Sequence, residues 1–306
     1  MINRSNVFRP LCFCLTLLVS LAASVSAQNA TEVVISVEQI AENIYMLSGR
    51  GGNTAVLVGG DGSFVIDHPN ADVYEQIIAR IDSLGGSPVR YLLNTHYHRD
   101  HTGGNELIKK AGALIIAHEN VRNRQVAGNS IAYFEIQHPP LDEPWLPAIT
   151  FDNSITFHFN GEPIEIFHPG QAHTDGDAVA YLKNANVVHV GDIFFNTVYP
   201  FMDLENGGNF DGLIAAIDKI LGRINETTTV IPGHGPVTDY TGFKAYRDML
   251  ATIVERVKTQ LASGKSLQEI IAARPTSEFD RANEGFIPAD DLVKFVYEDL
   301  TARWKQ

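Results

Sequence analysis

The feature that most constrains this chain is the segment at positions 96–101, which follows the pattern H-x-H-x-D-H. It directly follows a predicted strand. Side chains two positions apart in an extended segment point the same way, so His96 and His98 can bind one ion. Asp100 and His101 come where the chain turns, and they can reach a second ion. The segment therefore predicts a site for two metal ions.

Residues 1–27 have the composition of a secretory signal peptide. Arg4 and Arg9 give a positively charged start, an apolar run covers positions 11–23, and small residues close the segment. The apolar run is shorter than the roughly 20 residues that a membrane anchor needs, although an uncleaved anchor is the alternative. We expect residues 28–306 to form a mature periplasmic or secreted protein without stable membrane insertion.

The charge and the cysteines limit the chemistry. Cys12 and Cys14 are the two cysteines, and both fall in the predicted signal peptide, so the mature chain must use histidines, carboxylates and hydroxyls. Loss of Arg4 and Arg9 takes the formal charge from −13 to −15. Such a charge repels phosphate backbones, which argues against a nucleic-acid partner and favours a small-molecule substrate.

The remaining pattern predicts an α/β protein with two similar halves. In the first half, the predicted strands cover 53–58, 63–67, 89–95 and 113–117, with helices over 73–84 and 106–110. In the second half, they cover 154–159, 163–168, 178–182, 187–191 and 228–231, with helices over 211–221, 240–263, 266–273 and 289–303. We expect the two sheet-bearing halves to pack face to face in one domain.

Residues 119–150 interrupt this alternation. They contain Pro139, Pro140, Pro144 and Pro147 around Trp145. This composition predicts a long irregular loop, which is either a cover over a substrate or surface structure without a function.

Three later positions supply further candidate ligands at the ends of predicted strands. They are His173, Asp192 and His234, and His168 is a rival to His173. The other histidines have ordinary explanations. We expect His158 to face solvent and His189 to be a hydrogen-bonded core residue. His68 and His118 follow strands near the site, and a supporting role is the alternative to an ordinary one for both.

These ordered motifs resemble those of the metallo-β-lactamase superfamily, from about residue 40 to residue 240. The resemblance implies a four-layer αβ/βα sandwich. It also implies ligand roles for each position: His96, His98 and His173 for the first ion, Asp100, His101 and His234 for the second, Asp192 as a bridge between them, and Asp67 as a supporting carboxylate.

The resemblance further implies a hydrolase with two zinc ions, although iron or manganese suits the same ligands. In that family, the two ions share a hydroxide that attacks a carbonyl carbon, because metal binding lowers the pKa of water to roughly 7. Asp100 is then the catalytic residue that orients the nucleophile and can carry its proton.

The substrate is less constrained, since the superfamily cleaves lactams, lactones, thioesters and other esters. Asp192 replaces the cysteine of the best-known β-lactamase subclass, and Phe195 replaces its lysine, which weakens a β-lactamase assignment. Three features favour a β-lactamase: the expected export, Trp145 in the loop and the apolar stretch at 193–201. We expect β-lactam hydrolysis first, with lactone, ester or thioester hydrolysis as the alternative. An iron-dependent oxidoreductase and a non-catalytic metal-stabilised binding protein are the candidates of other classes.

Overall fold

The computed structural model describes Met1, residues 33–280 and residues 285–304. The predicted signal peptide, apart from Met1, and the predicted cleavage position lie outside the described residues. Among the helices of the described ranges, none is both long enough and apolar enough to cross a bilayer.

Seven strands form the first sheet, in the order β1-β2-β3-β4-β5-β6-β9. The first four strands pair antiparallel, and β4, β5, β6 and β9 run parallel. Their bounds are β1 Ser36–Ala41, β2 Ile44–Ser48, β3 Thr54–Gly59, β4 Gly62–Ile66, β5 Val89–Leu93, β6 Leu114–His118 and β9 Ile149–Phe151.

Six strands form the second sheet, in the order β10 to β15 along the chain. All neighbours pair antiparallel except β13 and β14, which run parallel. Their bounds are β10 Ser154–Phe159, β11 Glu162–Phe167, β12 Val179–Leu182, β13 Val187–His189, β14 Thr229–Ile231 and β15 Thr238–Asp239.

The described helices are α1 Tyr74–Ser83, α2 Arg99–Thr102, α3 Asn105–Lys110, α4 Glu119–Ala127, α5 Phe210–Leu221, α6 Tyr240–Ala262, α7 Leu267–Ala272 and α8 Ala289–Trp304. The predicted strands and helices outside residues 119–150 are confirmed. Their predicted ends differ from the observed ones by a few residues.

Alternation along the strands builds three apolar layers. In β3, Leu57 points between the sheets and packs in the same cluster as Ile164 and Ile166 of the second sheet. Its neighbour Val56 points the other way, into a cluster that contains Ile77 of α1. A third cluster joins the outer face of the second sheet to α5, α6 and α8. The predicted four-layer αβ/βα sandwich is confirmed.

The prediction of an irregular loop over residues 119–150 is wrong. This region contains α4, the edge strand β9 and a two-stranded hairpin of β7 Asn129–Ile131 and β8 Ile136–His138. The hairpin turn carries Glu135 in a left-handed conformation, with φ of 55°. The turn therefore uses a residue type that gives no turn signal in the sequence.

Candidate metal centre

The structure brings all seven predicted ligands together at one edge of the sandwich. They lie beyond the carboxyl ends of strands from both sheets, the place where open α/β folds collect functional groups. His96 and His98 follow β5, Asp100 and His101 lie on α2, His173 lies between β11 and β12, Asp192 follows β13, and His234 follows β14.

The first group of ligand atoms is buried. Atoms of His96, His98, His173 and Asp192 all lie within 4.8 Å of one another. His98 Nδ1 is 3.0 Å from His173 Nε2. Asp192 Oδ2 is 3.6 Å from both His96 Nε2 and His173 Nε2. Three imidazole nitrogens and one carboxylate oxygen thus point at a common centre.

The second group is formed by Asp100, His101 and His234, and it is partly open to solvent. His234 Nε2 is 3.2 Å from Asp100 Oδ2 and 3.3 Å from His101 Nε2. The side chain of Asp100 is 37% exposed and that of His234 is 26% exposed.

Asp192 connects the two groups. Its Oδ1 lies 3.0 Å from His101 Nε2, and its Oδ2 lies 3.5 Å from His234 Nε2. One carboxylate therefore reaches imidazoles of both groups, which is the position that a bridging ligand needs.

The donor atoms fit divalent metal ions. His96 Nε2 is buried, aims into the first group and has no hydrogen-bond partner in the structure. A buried polar atom without a partner is costly unless something else satisfies it, as a metal ion would. A set of imidazole nitrogens and carboxylate oxygens suits zinc, and iron or manganese fits it too.

Asp67 holds the second group in place. Its carboxylate accepts hydrogen bonds from Thr95 N and Thr95 Oγ1, each at 2.7 Å, and from His101 Nδ1 at 2.8 Å. The last contact turns His101 Nε2 toward the ligand group, as a carboxylate behind a metal-binding histidine does. This arrangement matches the supporting role that the resemblance implied.

Asp203 does the same for the first group, and sequence reasoning missed it. Its Oδ2 lies 3.0 Å from His98 Nε2 and accepts a hydrogen bond from Tyr97 Oη. Asn206 also donates to it. Asp203 lies 105 positions from His98, and no motif surrounds it, so only the folded chain reveals the contact.

The two groups also differ in proton affinity. Burial lowers the pKa of His173 to about 4 and lowers that of His96 as well. Burial would also lower the pKa of His234, but Asp192 and Asp100 outweigh it and raise this pKa to about 9. In the chain without metal, His96 and His173 are thus neutral, whereas His234 of the open group holds its proton more tightly.

The remaining histidines lie outside both groups. His158 is exposed, and His189 is a buried core residue whose Nδ1 accepts from Gly191 N, so both predictions are confirmed. His168 Nδ1 donates to Asp177 O, and its ring stacks on His118 with centroids 4.1 Å apart. The structure therefore favours His173 over His168. The buried His68 Nδ1 donates to Pro69 O.

Two glycines leave room for ligand side chains. A Cβ atom on Gly52 would lie 2.2 Å from Cε1 of His101, and one on Gly233 would lie 2.0 Å from Oδ1 of Asp192. Both distances are far shorter than carbon can approach these atoms, so the two ligands occupy their positions only because residues 52 and 233 lack side chains.

A cavity of about 300 Å³ opens beside the ligands. Asp100, Asp192, His98 and His234 line its metal-centre end. Hairpin β7–β8 contributes to its lining, so part of residues 119–150 does cover the site, while Trp145 is not among the lining residues. The full lining also includes Asn70, Arg99, Ile131, Phe134, Ile136, His138, Phe195, Phe201 and Phe286.

Comparison with known proteins agrees with this geometry. The chain is 30% identical over 196 residues to the probable metallo-hydrolase YqgX of Bacillus subtilis (strain 168), covering 61% of this chain and 86% of YqgX. It is 25% identical over 260 residues to a metallo-beta-lactamase type 2 of Bacillus cereus, covering 76% and 94% of the two chains.

A solved metallo-beta-lactamase from Pontibacter korlensis has the same fold, with a TM-score of 0.59 and 19% identity over 71% of this chain and 99% of that one. The profile of the metallo-beta-lactamase superfamily matches residues 47–244, which is more than half of the sequence. The chain therefore belongs to the metallo-beta-lactamase superfamily.

Proposed function

We propose that this protein is an exported hydrolase that holds two zinc ions and attacks a carbonyl substrate, with a β-lactam as the leading specific substrate. Membership of the superfamily and similarity to a probable metallo-hydrolase support the hydrolase. Export rests on the composition of residues 1–27.

One observation carries the proposal. Asp192 of the first ligand group also reaches His101 and His234 of the second, and Asp100 and His234 line a cavity large enough for a small molecule. A purely structural metal site is usually closed, whereas a catalytic site keeps a position open for water or substrate. The partial exposure of Asp100 and His234 is the open side of this centre.

Zinc ions bound by the two groups would supply an activated water molecule and polarise the carbonyl group. Asp100 lies where it can orient that water. Burial would raise its pKa, but His101 and His234 lower it below the ordinary range of a carboxyl group. Asp100 therefore stays ionised and would be able to accept a hydrogen bond from a water molecule held there.

Arg99 supports a β-lactam substrate, because common β-lactams carry a carboxylate. Its exposed side chain lines the cavity, and it is the one lysine or arginine among the lining residues. The relative from Bacillus cereus that is named a metallo-beta-lactamase supports the same substrate class.

Phe195 supports the second candidate, hydrolysis of a lactone, ester or thioester. Its ring stacks on His234 with centroids 5.2 Å apart and an interplanar angle of 11°. An apolar ring thus lies against the open ligand group, a position that favours an uncharged substrate over an anionic one.

The first test uses the purified mature protein supplied with zinc. We expect it to open the ring of a chromogenic cephalosporin faster than free zinc does, and a chelator should stop the reaction. Metal analysis of the protein as purified, before zinc is added, separates zinc from iron, because bound iron with redox activity would favour the oxidoreductase instead.

A sample that holds two zinc ions but opens no β-lactam would overturn the leading substrate. The same sample should then be given panels of lactones, esters and thioesters. Failure on all of them would reject the hydrolase itself and leave a metal-stabilised binding protein. His158→Asn is the matched control for ligand variants, since His158 is exposed and outside both ligand groups.

A further inference from the structure

The cavity beside the metal centre has an apolar part whose role the metal chemistry does not explain. Phe134, Phe201 and Phe286 belong to its lining, and we call these three side chains the aromatic wall. Ile131 and Ile136 of the β7–β8 hairpin extend the same apolar surface.

The rings of the aromatic wall form a continuous series of contacts toward the ligands. Phe286 stacks on Phe134 with centroids 5.5 Å apart and an angle of 23°. Phe134 contacts Phe201 at 4.8 Å, and Phe201 lies 6.0 Å from the ring of His98. The apolar surface therefore runs from an exposed end, at Phe286, to the first ligand group.

Two members of this surface are unusually open to water. Phe286 is 55% exposed and Ile136 is 38% exposed. A single exposed apolar side chain needs no explanation, but these two line one concave site that also contains the candidate chemistry. Covering them with an apolar group would remove their surface from water and so favour binding.

We propose that the substrate carries an extended apolar substituent, such as a medium-length acyl chain, which lies along the aromatic wall. The scissile carbonyl would then face Asp100 and Asp192 at the metal-centre end of the cavity. This inference rests on the proposed hydrolase and names the substrate class that its cavity selects.

Hydrolysis of a homologous ester series tests the selection. The zinc-loaded protein is given 4-nitrophenyl acetate, butanoate, hexanoate and octanoate, and kcat/KM is measured for each. Burial of a methylene contributes about 0.8 kcal/mol, so kcat/KM should rise roughly three- to fourfold per added methylene until the wall is covered. A flat series would overturn the inference.

Substitutions in the aromatic wall test whether it causes the dependence of kcat/KM on chain length. Phe134→Ala and Phe286→Ala should flatten the dependence on chain length, whereas Phe286→Leu should keep most of it. Leu114→Ala is the matched control, because Leu114 is 45% exposed on β6 and outside the cavity lining. A dependence that survives both alanine variants would overturn the inference.

Binding measured without turnover separates this inference from the proposed function. Calorimetry with acetate and octanoate on the zinc-loaded protein should show tighter binding of octanoate, and Phe286→Ala should reduce the difference. If octanoate binds in this way and no ester, lactone or β-lactam is cleaved, the hydrolase is wrong and the apolar site stands. If turnover occurs while acetate and octanoate bind equally, the inference fails and the hydrolase stands.

Discussion

The two ligand groups share Asp192 yet meet solvent differently. In the first group, the side chains of His96 and His173 are 1% exposed, whereas in the second group that of Asp100 is 37% exposed. His96 and His173 are therefore part of the core, whereas Asp100 and His234 are partly open to the cavity, which His98 and Asp192 also line. The difference indicates that one ion would be held mainly by the fold, while the other would meet water and substrate.

Each group also has its own supporting carboxylate. Asp203 contacts His98 of the first group, and Asp67 contacts His101 of the second. The comparison can therefore be tested with substitutions that affect both groups, one group, or the support of one group.

Asp192→Asn should have the largest effect, because it weakens both groups at once. Metal catalysis contributes several kcal/mol, so we expect kcat/KM to fall by roughly 10⁴-fold. Metal analysis should show that bound zinc falls from about two ions toward none. A variant that keeps two ions and normal turnover would contradict a bridging role.

Asp100→Asn should separate the groups. Binding of the second ion should be weakened and the first ion should be retained, since Asp100 belongs only to the open group. Loss of the group that orients the nucleophile should reduce kcat by about 10² to 10³-fold, with circular dichroism showing an intact fold. Near-normal activity would reject Asp100 as the catalytic residue, and His158→Asn serves as the control.

Asp203→Asn and Asp67→Asn should act on different ions. Replacing a carboxylate that orients a metal-binding histidine typically costs 10- to 100-fold in metal affinity. Asp203→Asn should therefore lower the affinity for the first ion, and Asp67→Asn the affinity for the second. Titration of zinc against a chromophoric chelator measures both affinities. If both variants weaken the same ion, the groups are not independently supported.

The smallest effect concerns the chain segment that carries His173. His118 and His168 stack at its start, and burial lowers the pKa of both below the ordinary histidine value. A lowered pKa means that the folded state binds a proton less readily than the unfolded state does. The free energy of unfolding is therefore highest above about pH 6.5, and it decreases as the pH falls below that value.

We therefore expect the melting temperature to decrease on acidification from pH 7.5 to pH 5. His168→Asn should make the decrease shallower, whereas His158→Asn should leave it unchanged. Identical pH profiles for the native protein and His168→Asn would show that the stacked pair does not contribute.

Much of the fold was predictable because its signals are local. Glycine-rich turns and alternating apolar residues mark hairpins such as 53–58 with 63–67, and the motif at 96–101 places four of the seven candidate ligands on one loop and a short helix. His173, Asp192 and His234 were candidates because each comes after a predicted strand and strand ends gather at one edge, while the resemblance to the family favoured His173 over His168.

What could not be predicted depends on contacts between distant parts of the chain. In α4, the buried residues are Val121 and Gln125, so the helix lacks the apolar stripe that would reveal it. The β7–β8 hairpin turns at Glu135 without glycine. Asp203 reaches His98 only after both sheets have packed, so its role has no local signal.

Gly52 and Gly233 limit how this sequence can diverge. Neither has a functional group, yet a side chain at either position would occupy space already filled by His101 or Asp192. A substitution at either glycine would therefore displace a ligand, although neither glycine takes part in the chemistry. Each glycine and the ligand beside it can change only together.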